Sequence, residues 1–161
     1  EILGTKGFAV PEEGLRRGLQ RASWPGRLEI LRGHPTVVVD GAHNPAALAA
    51  LMVALKEEFS YRRLGFVFGV LKDKDYRTMM KGVRSVADWI ILTRPRNERA
   101  LSPDILLPMA RRGGFPARVV ADPREACREA LKVAGPEDLV CVAGSLYLAG
   151  DAYAAFPRET A

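Results

Sequence analysis

Residues 37–48, VVVDGAHNPAAL, place several chemically active side chains in one short turn. An apolar run ends at Asp40, whose carboxylate can accept two hydroxyl groups, as from a ribose. Gly41 permits backbone geometry that a Cβ would forbid, and His43 can donate to a carboxylate or a phosphate. Asn44 is a good helix cap, so the positive end of the next helix points at the same place. These residue types are equally ordinary in a plain strand–turn–helix connection, so both interpretations stay open at this point.

Three further polar segments each follow an apolar run: LKDKD at 71–75, RPRNERA at 94–100 and GSLY at 144–147. Alternating Lys and Asp in the first segment is more typical of a solvated loop than of a site. The arginines of the second segment could clamp a carboxylate, or could lie on a plain surface loop. Gly-Ser in the third indicates either a small anion-binding turn or a simple serine cap.

The elements that carry these turns alternate between short apolar strands and segments with helical spacing. Strands are predicted at 36–40, 64–70, 89–93, 118–121 and 139–143, with a half-exposed strand at 27–33. Helices are predicted at 11–22, 45–59, 75–87, 102–113, 123–134 and 145–156. This pattern predicts an α/β fold with a Rossmann-like open sheet of about six strands, mostly parallel, with helices on both faces. The strand at 27–33 is the candidate antiparallel member. Because parallel strands end at one edge, the four polar turns are expected to lie together there.

Composition narrows the function classes. The chain has 161 residues with 48% hydrophobic and 27% charged residues, as in one ordinary globular domain. No apolar run approaches the roughly 20 residues of a membrane span, so no membrane interaction is expected. A net charge of +5, with arginine at 18 of 24 cationic positions, favours anionic partners. The arginines are not interleaved with aromatic residues, which disfavours nucleic acid.

Some catalytic motifs are absent from the sequence. No GxxxxGK[ST] phosphate loop, no GxGxxG after a strand and no nucleophile elbow occurs. Cys127 and Cys141 lack the spacing of metal ligands, and we interpret them as buried thiols of a cytoplasmic protein. No metal site is expected within this chain.

Four stretches taken together resemble a known family. SWPGR (23–27), VVDGAHNP (38–45), GVLKDKD (69–75) and AGSLYLAGD (143–151), in this order, are similar to the C-terminal domain of folylpolyglutamate synthases, including the form that is also a dihydrofolate synthase, in the Mur ligase superfamily. The resemblance covers about residues 10 to 156. It implies an ATP-dependent amide ligase that activates a carboxylate as an acyl phosphate, which the amine of L-glutamate then attacks. It also implies a preceding P-loop domain that holds most of the ATP and the Mg²⁺.

Roles carry over from the resemblance at matching positions. Arg27 resembles the interdomain arginine that reaches the ATP phosphates and stabilises phosphoryl charge, and Asp40 resembles the aspartate at the ATP ribose. His43 and Ser145 resemble residues placed at the incoming glutamate, and Arg99 is a weaker candidate for a glutamate carboxylate. The other motif residues are interpreted as structural. They are Gly41, Asn44, Pro45, Asp73, Asp75 and Gly144.

The chain does not begin with Met and lacks the phosphate loop, so we interpret residues 1–23 as the remnant of the preceding domain or a connector, and 24–161 as the C-terminal domain. The expected partners are ATP, L-glutamate, a folate or dihydropteroate-type substrate and the missing P-loop domain. The chain alone is expected to be an inactive monomer. Two alternatives remain: another Mur-type ligase, acting on a cell-wall precursor or cyanophycin, and a binding module for a nucleotide or amino acid without catalysis.

Overall fold

The structure, a computed structural model, describes residues 2–8, 10–22 and 24–156. Within these residues, six strands form one sheet in the order β1-β2-β6-β3-β4-β5. They are β1 (Glu29–Gly33), β2 (Thr36–Val39), β3 (Leu64–Phe68), β4 (Trp89–Leu92), β5 (Ala117–Val119) and β6 (Leu139–Ala143). Strands β2, β6, β3, β4 and β5 run parallel to one another, and β1 is antiparallel to β2. The predicted sheet, including its antiparallel strand, is confirmed.

The predicted helices are also present, with small differences at their ends. They are α2 (Glu12–Arg21), α3 (Pro45–Glu58), α4 (Tyr76–Val86), α5 (Pro103–Ala110), α6 (Pro123–Val133) and α7 (Leu146–Ala155). A short helix that the sequence pattern does not predict, α1 (Ile2–Thr5), precedes them. The largest difference is at α5, which the spacing predicts to continue to Gly113. It stops at Ala110 and a 3₁₀ turn follows, because Gly113 and Gly114 take positive φ values of 67° and 76°.

The sheet is covered on both faces, because successive side chains of a strand point to opposite sides. On one face, Phe66 and Phe68 pack with the buried residues of α3, α4 and α5. On the other face, Val67 packs with buried residues of α6 and α7. All residues of the central strands β3 and β6 are buried, which explains why both sequences are continuous apolar runs rather than alternating ones. The two cysteines are free and buried, as predicted.

Capping side chains fix where the helices begin at the edge that carries the polar turns. Asn44 Oδ1 accepts the backbone N–H of Ala47 at 2.8 Å, so the predicted cap of α3 is confirmed. Asp75 caps α4 in the same way, accepting the N–H of Thr78 at 3.1 Å. Ser102-Pro103 has the same sequence pattern as Asn44-Pro45, but the hydroxyl of Ser102 makes no cap bond and donates instead to Asp104.

The N-terminal segment contributes little to the described core. Helix α2 lies within the predicted limits, but none of its residues is buried. Leu15 is 54% exposed and Leu19 is 68% exposed. The proposed boundary between residues 1–23 and 24–161 stays a prediction, and Ser23 of the SWPGR motif lies outside the described residues. No helix in the described part of the chain is long and apolar enough to cross a membrane.

Candidate functional site

The turn after β2 is built around the carboxylate of Asp40, which is only 9% exposed. Its Oδ1 accepts the backbone N–H of Ala42 at 2.7 Å, and its Oδ2 accepts that of Leu28 at 2.8 Å. Both oxygens therefore already hold backbone groups, although each carboxylate oxygen has a second lone pair. Asp40 thus fastens the 40–44 turn and the loop before β1 to each other. The sequence does not suggest this structural task.

The loop at residues 24–28 lies directly on the turn after β2. The N–H of Gly41 donates to the carbonyl of Gly26 at 2.7 Å. A Cβ added to Gly41 would stand 3.1 Å from Nη1 of Arg27 and 2.3 Å from Cδ2 of Leu146. The missing side chain of Gly41 therefore makes room for both neighbours. Arg27 is exposed, and its guanidinium has no ion pair among the residues that the structure describes, so its charge is free at the rim.

His43 is half-buried and stands between two cavities. Its Nδ1 lies 2.8 Å from the carbonyl oxygen of Gly41. Because a carbonyl can only accept, we assign the proton of the neutral ring to Nδ1, which leaves Nε2 as an acceptor that becomes a donor when the ring is charged. A cavity of about 410 Å³ is lined by His43 together with Arg27, Asp40 and Asn44. A second cavity, of about 230 Å³, is lined by His43 on its other side.

The second cavity is lined by polar and basic groups from four separate turns, one of which carries His43. Its other lining residues are Leu71, Lys74, Arg99, Ser145, Leu146 and Tyr147. Ser145 is 2% exposed and caps α7, its Oγ accepting the N–H of Tyr147 at 3.2 Å. A lysine, an arginine, a serine and an imidazole around this volume are groups that favour a small anionic molecule.

The two cations of the second cavity are brought together by backbone pairing between their loops. The N–H of Lys72 donates to the carbonyl of Arg99 at 2.9 Å, and a β-bridge joins Leu71 to Ala100. Asp73 Oδ2 lies 3.2 Å from Lys74 Nζ and 3.6 Å from Arg99 Nη1. The hydrogen bond from Lys74 is the main cause that lowers the pKa of Asp73 below its ordinary value. Asp73 is therefore the counter-ion of both cations.

Sequence reasoning missed Lys74 as a lining residue, because alternating Lys and Asp is typical of a solvated loop. The available signal was its place after a buried strand, at the same edge as the other turns. By contrast, Arg96 does not join either cavity. It forms ion pairs with Asp122 at 2.9 Å and with Asp151 at 3.6 Å, and so ties its loop to α6 and α7.

Two of the residues interpreted as structural, Gly144 and Pro45, occupy positions that their backbone conformation explains. Gly144 has a φ of 114°, and a Cβ there would stand 2.5 Å from the carbonyl oxygen of Gly69. Pro45 takes the first helical position of α3. Within the described residues, no group of three or more His, Cys, Asp or Glu side chains could hold a metal ion. The described residues therefore offer no donor set that fits a divalent cation, whereas Arg27 gives the larger cavity one cationic group.

The curated proteins similar to this chain include folate-glutamate ligases and cell-wall ligases. It is 36% identical over 150 residues to a probable bifunctional folylpolyglutamate synthase/dihydropteroate synthase of Haloferax volcanii, covering 92% of this chain and 18% of that protein. It is 38% identical over 128 residues to a UDP-N-acetylmuramoyl-L-alanyl-D-glutamate–2,6-diaminopimelate ligase of Alkalilimnicola ehrlichii, covering 74% of this chain and 25% of that protein. The chain thus spans only 18% and 25% of the length of these relatives.

Solved structures agree with the sequence comparison. Folylpolyglutamate synthase of Mycobacterium tuberculosis, complexed with ADP and AMPPCP, superposes with a TM-score of 0.86 at 31% identity, over 98% of this chain and 38% of that one. A bifunctional folylpolyglutamate synthase/dihydrofolate synthase with Mn, AMPPNP and L-glutamate bound gives a TM-score of 0.85 at 29% identity, over 95% and 36%.

The family profile of the Mur ligase glutamate ligase domain matches residues 26–146, which include Arg27 and every lining residue of the two cavities except Tyr147. The fold, the polar carboxyl edge and this match agree, and the chain belongs to the Mur ligase family as its C-terminal, glutamate ligase domain.

Proposed function

We propose that this chain is the C-terminal domain of an ATP-dependent ligase that joins L-glutamate to a folate, as a folylpolyglutamate synthase, through an acyl phosphate. The observation that carries the proposal is the position of His43, which lines both cavities. The larger cavity has the free cation Arg27, and the smaller has Lys74 and Arg99. A carboxylate activated beside the larger cavity could therefore react with an amine held in the smaller one, with the imidazole of His43 between them.

In the nucleotide half of the site, the proposed task of Arg27 is to face the phosphates of ATP. Its guanidinium is exposed and has no ion pair in the described chain, so a phosphoryl group would be its counter-ion. A fixed cation at that place stabilises negative charge that grows during phosphoryl transfer. Asp40 borders the same cavity, and the second lone pairs of its oxygens are what it could offer to a ribose hydroxyl.

In the amino acid half, the proposed tasks divide between charge and orientation. L-Glutamate carries two carboxylates, and Lys74 and Arg99 supply two cations around the cavity. Because Asp73 now neutralises part of their charge, the substrate would replace a solvent-exposed ion pair, which water already weakens. His43 Nε2 and the hydroxyl of Ser145 would then orient the substrate so that its amine faces the larger cavity.

The rest of the enzyme is proposed to lie before residue 24. ATP supplies the phosphate that activates the substrate carboxylate, and Mg²⁺ bound with it needs ligands from the preceding P-loop domain. Domain closure would exclude water from the activated carboxylate, which otherwise hydrolyses. We propose accordingly that the 161-residue chain alone is a monomer without ligase activity, that it acts in the cytoplasm, and that residues 1–23 connect the two domains.

One alternative has an observation in its favour. The diaminopimelate ligase relative makes a cell-wall ligase the second candidate, because the same domain then adds a different amino acid. Activity of the full-length enzyme with a folate and glutamate, against a muramoyl peptide and diaminopimelate, separates the two. A domain that binds ligands without catalysis would process neither pair.

The experiment on this chain uses its two histidines, His43 and His34. His34 lies at the opposite edge of the sheet, just before β2, and is a matched control. Titration with L-glutamate, followed by NMR of the imidazole protons, should shift the His43 signals and leave those of His34 unchanged. Equal shifts of both, or a shift of neither at saturating glutamate, would contradict the amino acid site.

In the full-length enzyme, His43→Ala should raise the KM for glutamate far more than the KM for ATP. Arg27→Ala should do the reverse and lower kcat. Arg128→Ala is the control for the loss of an arginine, since this exposed residue pairs, within the described chain, with Glu125 one helical turn away. If the KM values for ATP and glutamate moved equally in His43→Ala, the amino acid role of His43 would be wrong.

A further inference from the structure

The loop that carries Arg27 contains an unusual backbone conformation. Leu28, the next residue, has a φ of 45°, the one positive value of a non-glycine residue in the described chain. Such a conformation costs a leucine on the order of 1–2 kcal/mol, so something in the structure must hold it. Arg27 and Leu28 are adjacent, and the direction of the arginine depends on this peptide.

The group that holds it is the carboxylate of Asp40. The N–H of Leu28 donates to Oδ2 of Asp40 at 2.8 Å, and the N–H of Ala42 donates to Oδ1 at 2.7 Å. One buried carboxylate therefore connects the loop before β1 to the turn after β2. Hydrogen bonds to a charged acceptor are stronger than neutral ones, particularly where water is excluded.

Hydrogen bonds that do not involve Asp40 also hold the loop at residues 24–28. The N–H of Gly26 donates to Oε2 of Glu29 at 2.9 Å, and the hydroxyl of Tyr153 also contacts that oxygen. With the bond from Gly41 to Gly26, the peptides on both sides of Arg27 are fixed while its side chain has no ion pair within the described residues. This is the arrangement of a preorganised cation, in which the cost of orientation is met during folding.

We infer that Asp40 is a positioning residue for Arg27: its carboxylate holds the strained Leu28 peptide and so keeps the guanidinium over Gly41, facing the larger cavity. This inference rests on the proposed function for what Arg27 does there. It differs from a ribose contact, because a loss of the carboxylate then acts through Arg27 rather than through the sugar. With a nucleotide that lacks both ribose hydroxyl groups, substitution of Asp40 should therefore still lower activity.

The first test needs only this chain. Asp40→Asn removes the negative charge from both hydrogen bonds and turns an amide donor towards one of the two backbone donors, so the Leu28 N–H should exchange with solvent about 10-fold faster or more. Hydrogen exchange read by NMR measures this. Asp122→Asn is the matched control, since Asp122 also accepts two backbone N–H groups, from Arg124 and Glu125. It should leave exchange at Leu28 unchanged. An acceleration below about 2-fold in Asp40→Asn would overturn the inference.

If Asp40→Asn fails to fold, hydrogen exchange of the unsubstituted chain tests the same bond. The Leu28 N–H should be protected there, and exchange at the rate of an unstructured peptide would overturn the inference.

The second test uses the full-length enzyme. In a double-mutant cycle, Asp40→Asn should lower kcat at least 10-fold in the parent and less than 3-fold in the Arg27→Ala background, because the two changes remove one function. The loss in the parent should persist when 2′,3′-dideoxy-ATP replaces ATP. Additive losses that vanish with 2′,3′-dideoxy-ATP would overturn the inference in favour of a ribose contact. Faster exchange in an enzyme that does not glutamylate folate would leave the Asp40–Leu28 link standing and refute the proposed function instead.

Discussion

Substitution of Gly144 by alanine should weaken the edge of the sheet where the two cavities meet. The φ of 114° is outside the range that L residues favour, which costs about 1–2 kcal/mol. The new Cβ would also stand 2.5 Å from the Gly69 carbonyl oxygen and 2.9 Å from the ring of Phe68, and overpacking of this kind costs about 1–3 kcal/mol. Because a backbone atom is the nearest neighbour, rotation of a side chain cannot relieve the contact. Together these effects predict a loss of about 2–5 kcal/mol.

Two other glycines separate the two causes. Gly114 has a positive φ of 76° but open space around its Cβ position, so Gly114→Ala should cost only about 1 kcal/mol. Gly150 lies within α7 with nothing near its Cβ position, so Gly150→Ala should stabilise the chain by about 0.5–1 kcal/mol.

Urea unfolding of the 161-residue chain, followed by far-UV circular dichroism, measures all three variants. With an m value of about 2 kcal/mol/M, Gly144→Ala should lower the midpoint by about 1–2.5 M. If Gly144→Ala lost no more stability than Gly114→Ala, the close approach of β6 to the turn after β3 would not exist. The position assigned to Ser145 beside His43 would then be wrong as well.

Three further outcomes follow from the described contacts. The buried carboxylate of Asp138 accepts a 2.6 Å hydrogen bond from Arg63, which is the main cause that lowers its pKa. The stabilisation is therefore complete above the ordinary pKa of 3.8 and is lost as pH falls below it. Asp138→Asn should cost about 1.5–3 kcal/mol at pH 7, and urea unfolding near pH 3 should show a smaller loss. Burial raises the pKa of Cys127 to about 12, so a thiol reagent at pH 8 should label neither cysteine until urea unfolds the chain, and rapid labelling of the native chain would contradict this burial. Asn44→Ala should cost about 1 kcal/mol in thermal unfolding, whereas Ser102→Ala should cost close to nothing because its hydroxyl makes no cap bond; equal losses would contradict this difference.

Much of the fold is readable from local pattern. Apolar runs such as 64–70 and 139–143 are continuous because both faces of the sheet are covered, and that pattern alone indicates a parallel sheet between helices. The Asn44-Pro45 start of α3 is equally local, because a cap satisfies N–H groups only a few residues away. Ends of elements are less certain, as at α5, where two glycines shorten the helix.

The arrangement of the candidate site depends on strand order, which local pattern does not contain. β6 is the last strand in sequence but lies between β2 and β3, and this brings Ser145 beside His43. Lys74 and Arg99 join them because their loops pair through backbone hydrogen bonds.

The sequence by itself determined the α/β alternation, the helix starts, the free buried cysteines and the edge at which the polar turns collect. Each of these depends on residues close together in the chain. Only the tertiary structure decided that Asp40 accepts the N–H of Leu28 and that Lys74 borders a cavity. It also decided that Arg96 forms ion pairs with Asp122 and Asp151. The physical reason is that an exposed charge has many partners within reach, and the packing of distant elements selects among them.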